Sequence, residues 1–101
     1  GDIYFTGGYG EGEDDYLKEV VRINGSSFEV TQKSPMLNER AGHGIVYHIN
    51  YLYVIGGWNG NSMRESERLL VSEDRWEPLT PLPTNGITLV SVVVVKKTQC
   101  L

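Results

Sequence analysis

A returning hexapeptide constrains this chain more than any other feature. Ile3-Tyr4-Phe5-Thr6-Gly7-Gly8 reappears as Leu52-Tyr53-Val54-Ile55-Gly56-Gly57, 49 positions on, with the aromatic residue and the glycine pair in place. Further matches follow at a displacement of 48: Glu19 to Val21 with Glu67 to Leu69, Phe28 with Trp76, and Pro35 with Pro83. Self-similarity at a period near 50 marks a repeat architecture, in which each copy buries its apolar face by packing on a neighbour. The slip from 49 to 48 falls between the glycine pair and the next strand, where a loop absorbs a deletion without shifting strand register.

Each segment of the repeat reads as β-structure. Ile45 to Asn50 and Tyr51 to Ile55 are rich in β-branched and aromatic residues, and His48-Ile49-Asn50 joins them as a hairpin. Val20 to Ile23 is expected to meet Phe28 to Thr31 across Asn24-Gly25-Ser26-Ser27, because Asn-Gly accepts positive φ at both positions. The second copy has Ser72-Glu73-Asp74-Arg75 at that place. No stretch carries a sustained 3.6-residue apolar period with caps. The expectation is an all-β chain whose unit has four strands, at 43–49, 51–57, 66–72 and 75–79.

The repeated residues have physical reasons to be where they are. Gly7-Gly8 and Gly56-Gly57 permit positive φ and close backbone approach where the chain leaves the sheet. Trp76 and Phe28, near the outer strand, are expected to cover the wedge between adjacent units, each burying roughly 150–250 Å² of aromatic surface. Ile87 to Val95 is apolar on both faces, as in a strand sandwiched between neighbouring sheets.

Composition narrows the function classes. With 9 basic and 13 acidic residues the net charge is −4, which argues against a nucleic-acid binder that works by neutralising phosphates. The acidity is local: Asp2, Glu11, Glu13, Asp14 and Asp15 occupy the first fifteen residues without a Lys or Arg. The single cysteine, Cys100, cannot form an internal disulfide, so a stapled secreted scaffold is excluded and a cytoplasmic location is expected. The longest apolar run, Leu89 to Val95, is far short of the ~20 residues of a membrane helix. Asn24-Gly25-Ser26 matches the glycosylation acceptor pattern, a short pattern that chance often produces.

Taken together, Arg40, Gly42-His43-Gly44, Asn50, Leu52 to Gly60, Trp76 and Pro83 resemble the kelch repeat, a four-stranded propeller blade of about 50 residues. Two positions depart from the pattern. Phe28 stands where the family usually has Trp, and the tyrosine usual on the third strand is replaced by Val21 and Leu69. The resemblance implies strands two to four of one blade at 1–35, a whole blade at 36–83 and the inner strand of a third at 84–101. Propellers use ~4 to 8 blades, so this chain alone does not close a ring. Two expectations follow: a piece of a longer kelch protein supplying the remaining blades, or self-association through the terminal strand.

Candidate chemistry can be weighed residue by residue. Gly8-Tyr9-Gly10-Glu11-Gly12 looks briefly like a dinucleotide loop, but it runs into Glu13-Asp14-Asp15, which would repel pyrophosphate. The alternation of ligands in a calcium loop is absent as well. His43 and His48 are five apart on a strand and point to opposite faces, so they do not share a metal. His43 is expected to be a hydrogen-bonded structural histidine, and neither a cofactor nor a metal is expected.

What remains is binding. In kelch propellers, the resemblance implies, ligands meet the rim where loops leave the second strand and enter the inner one. Here those loops are Tyr9 to Asp15, Trp58 to Arg64, Leu37 to Arg40 and Thr84 to Gly86. They differ between the copies while the strands agree, as when a rigid scaffold presents variable contacts. The candidate contacts are Tyr9, Glu11, Glu13, Asp14, Asp15, Asn38, Arg40, Trp58, Asn59, Asn61 and Arg64, with Gly7, Gly8, Phe28, His43, Gly56, Gly57 and Trp76 as the structural signature. The expected function is a non-enzymatic interaction module for a protein partner, a peptide or a folded domain, similar to the kelch adaptors that recruit substrates for ubiquitin ligases. The alternatives are an actin-binding kelch protein and a piece of a kelch-like copper oxidase or sugar isomerase.

Overall fold

A computed structural model describes residues 1–83 of the chain. The expected terminal strand, with Leu89 to Val95, Cys100 and the Thr84 to Gly86 loop, lies outside the described residues. Among the described residues seven strands form two antiparallel sheets, and no helix occurs. β1 (Ile3–Tyr9), β2 (Tyr16–Ile23) and β3 (Val30–Lys33) make the first, in chain order. β4 (Gly44–His48), β5 (Tyr51–Ile55), β6 (Ser66–Leu70) and β7 (Arg75–Pro78) make the second, also in chain order. The β4–β5 hairpin turns on Ile49 and Asn50, both at positive φ (41° and 68°), the two-residue geometry that matches the twist of antiparallel strands.

The sheets superimpose the two copies in a way that corrects the spacing expected from sequence. Up to the glycine pair the displacement of 49 holds: φ is 59° at Gly7 and 62° at Gly56, then 107° at Gly8 and 108° at Gly57. Beyond it, Tyr4 pairs with Arg22 while Tyr53 pairs with Arg68, a displacement of 46 (22 to 68). The same 46 relates Ile23↔Val30 to Leu69↔Trp76. It also relates the bond from Met36 N–H to Lys18 O with that from Leu82 N–H to Arg64 O, both 2.8 Å. The loop after the first glycine pair is therefore three residues longer than the second (49 − 46), not one.

This register moves Phe28 out of the signature. The counterpart of Trp76 is Val30, and Phe28 corresponds to Asp74, with φ 60° against 52°. Phe28 is 72% exposed in a six-residue turn at 24–29, not on the outer strand. The side chain of Asn24 explains the wider turn: its Oδ1 accepts the N–H groups of Ser26 (2.9 Å) and Ser27 (3.0 Å), an Asx turn that replaces a tight hairpin.

The core draws on both sheets, with Val20 and Met36 from the first half of the chain meeting Leu52, Val54, Leu69 and Trp76 from the second. The Trp76 indole N–H donates to Ser34 O at 2.8 Å, and Ser34 donates through its N–H and hydroxyl to Asp74. A buried tryptophan with its one donor satisfied contributes its full apolar area. At the ends of the sheets remote from the glycine pairs, a cleft of about 500 Å³ opens between Tyr4, Arg22, Ile45, Tyr47, Leu52 and Val71.

Candidate interaction rim

The glycine pairs exist to let the connector at 34–43 fold back over the strand ends. Gly8 N–H donates to Arg40 O at 2.8 Å and Arg40 N–H to Leu17 O at 3.1 Å. A Cβ on Gly7 would lie 2.4 Å from Arg40 O, so only glycine admits this approach. The connector then drives the Arg40 side chain into the second sheet. Its Nη1 donates to Gly56 O (2.6 Å) and Glu65 O (3.0 Å), and its Nη2 to Glu67 Oε2 (2.8 Å). Glu67 also accepts the N–H groups of Leu37 (2.6 Å) and Asn38 (3.1 Å). Burial pulls the guanidinium pKa down and the Glu67 carboxylate opposes that pull. One ion pair thus ties the connector to the following sheet and consumes the peptide donors that the turn leaves over.

His43 sits at the end of the same connector, with Nε2 2.7 Å from Thr6 Oγ1 on β1. Burial first, and the Arg40 charge second, push the imidazole down to about 4, so it is neutral at pH 7. Its backbone and Cβ crowd Gly57, where a side chain would lie 2.9 Å from Ala41 O and 3.0 Å from His43 Cβ.

Outside this latch, two loops meet. Tyr9 and Tyr16 pair across the first loop with their rings 5.6 Å apart, and Trp58 comes from the second copy with its indole N–H 2.9 Å from Tyr16 Oη. Tyr16 in turn donates to Asp14 Oδ1 at 3.4 Å. Trp58 is fixed through its backbone, which exchanges hydrogen bonds with Ala41 at 2.8 and 3.0 Å. The acidic loop closes on itself through Gly10 N–H to Asp15 O, 2.6 Å, leaving Glu11, Glu13, Asp14 and Asp15 exposed. The result is an aromatic ledge topped by Tyr9, 69% exposed, beside four carboxylates.

A family model for the kelch motif matches residues 39–83, from the buried arginine region through the end of the second sheet. The connector and the second sheet carry a kelch motif. No curated protein matches the sequence.

Within this kelch framework the candidate residues separate. Tyr9, Asp14 and Trp58 converge on one ledge, with Glu11, Glu13 and Asp15 beside it. Asn59 and Asn61 stand exposed in the adjoining loop. Arg40 is not a surface contact: it has no exposed area, because the connector needs its fork inside the blade. Asn38 is half-buried and committed to Glu67 through its backbone and its amide. Arg64 is exposed, with its Nε donating to Leu82 O at 2.8 Å. Among the described residues no group of three His, Cys, Asp or Glu side chains is placed to hold a metal.

Tyr16 joins the ledge without having been singled out from sequence. The signal was available in principle: with Tyr9 and the acidic stretch before it, Tyr16 closes a hairpin loop, and the flanking pair of a hairpin faces each other.

Proposed function

We propose that this kelch unit is a protein-interaction module whose rim takes a basic segment of a partner protein. The observation that carries the reading is the hydrogen-bonded chain from Trp58 through Tyr16 to Asp14, which joins the loops of two blades beside exposed Tyr9 and the exposed carboxylates of Glu11, Glu13 and Asp15. Aromatic faces attract Lys and Arg by cation–π contact, and acidic neighbours steer them in. Tyr and Trp are also the residue types that dominate interface energetics. In keeping with the resemblance to kelch adaptors, the role assigned to such a rim is substrate recruitment for a ubiquitin ligase in the cytoplasm.

The test is binding of a Lys/Arg-rich peptide against its acidic and neutral counterparts, across a salt series. The reading expects binding of the basic peptide alone, weaker as salt rises, and weaker again in Glu13→Lys and Asp15→Lys chains. Equal binding of all three peptides, or insensitivity to salt and to charge reversal, would remove the ledge from the interface.

A further inference from the structure

Asn-Gly occurs at Asn24-Gly25, Asn59-Gly60 and Asn85-Gly86, the last outside the described residues. Asparagine is at its most reactive before glycine, since no side chain there shields the following backbone nitrogen from the asparagine amide carbon. By sequence the two described pairs are equivalent, yet the fold treats them oppositely.

Asn24 is held on every side. Its Oδ1 accepts from Ser26 and Ser27, its N–H donates to Glu29 O at 3.0 Å, and its carbonyl accepts Phe28 N–H at 2.9 Å. The Gly25 N–H donates to Asp2 Oδ1 at 3.1 Å. Swinging the Asn24 amide onto the Gly25 nitrogen breaks most of this set. Asn59 is exposed, and its own hydrogen bond is a backbone one, N–H to Asn61 O at 3.2 Å. Among the described residues neither its side-chain amide nor the Gly60 N–H is hydrogen-bonded. Nothing lies within 4 Å of the place a Gly60 Cβ would occupy, so water reaches the site freely.

We infer that Asn59 is a site of spontaneous modification on the rim. The Gly60 nitrogen attacks Asn59 Cγ and the side-chain nitrogen leaves as ammonia, carrying the proton lost by Gly60. Water then opens the resulting succinimide at either carbonyl, giving aspartate or isoaspartate. Either product adds a carboxylate next to Trp58 and takes the net charge from −4 to −5 (−4 − 1). Isoaspartate also lengthens the backbone of the short loop spanned by the Trp58↔Ser62 bridge.

Ageing the whole chain in neutral buffer, folded and in denaturant, followed by peptide mapping of both sites, tests this. In the folded chain the products at Asn59 are expected to accumulate at least about tenfold faster than at Asn24, the factor that a net hydrogen bond or two supplies. In denaturant the rates converge, because the reacting dipeptides are the same. Equal rates in the folded chain, a faster Asn24, or a folded Asn59 that persists while the denatured chain converts would overturn the inference.

Discussion

The Arg40 guanidinium and the Glu67 carboxylate meet at 2.8 Å with neither side chain exposed. Such a pair is costly to desolvate and more costly to break, since removing one member strands the other charge in a dry site. Glu67 holds four donors from the connector, so its loss also orphans the peptide N–H groups of Leu37 and Asn38.

Arg40→Ala is therefore expected to destabilise the chain by about 3–5 kcal/mol, and Arg40→Lys by a large part of that, because an ammonium cannot span Gly56 O, Glu65 O and Glu67 together. Denaturant titration gives the measurement. A loss below about 1 kcal/mol, the value of an exposed pair, would contradict the buried assignment.

Gly8 and Gly57 offer an internal control on the glycine pairs. They share the same φ, 107° and 108°, so the strain of adding a side chain cancels between them. Gly57 alone is crowded, by Ala41 O and His43 Cβ, while nothing lies within 4 Å at Gly8. Gly57→Ala should cost more than Gly8→Ala by about 1–3 kcal/mol in unfolding experiments. Equal losses would mean that backbone strain alone explains the pair.

His43 makes stability depend on pH. Its imidazole is pushed down to about 4 in the fold against an ordinary 6.5, so the unfolded chain takes up the proton first as pH falls. The contribution is fully present above 6.5, declines between 6.5 and about 4, and is gone below that. The loss is at most about 3 kcal/mol over that window. His43→Gln should flatten this part of a stability-against-pH curve, and an unchanged slope would assign it to other groups.

Phe28 and Trp76 should behave as opposites despite their apparent equivalence in sequence. Trp76→Ala removes a buried ring and is expected to cost about 3–5 kcal/mol. Phe28 is exposed at φ 60°, where glycine is at ease, so Phe28→Gly should leave thermal stability unchanged or raise it by up to about 1 kcal/mol. A large loss at Phe28 would restore it to the packing between blades.

Much of the fold was legible because it is written in local patterns. The β4–β5 hairpin follows from alternating β-branched and aromatic residues closed by Asn50, and each strand of the second blade lies within two residues of its expected place. The Tyr9, Asp14 and Trp58 positions were legible as loop residues, but not their convergence, which depends on the Tyr16 hydroxyl bridging two loops. The offset of the third strand was misread by two positions, since residues in a loop carry no period from which its length can be counted.

The amino-acid sequence determined what short-range chemistry controls: strands from side-chain alternation, turns from Asn and Gly, and the repeat itself from the glycine doublets. The tertiary structure decided what depends on residues far apart in the chain. Arg40 became an internal strut because Glu67 stands 27 positions on, and Val30 rather than Phe28 took the outer-strand place because hydrogen-bond register chose it. Burial and register are properties of two segments at once, so neither segment read alone contains them.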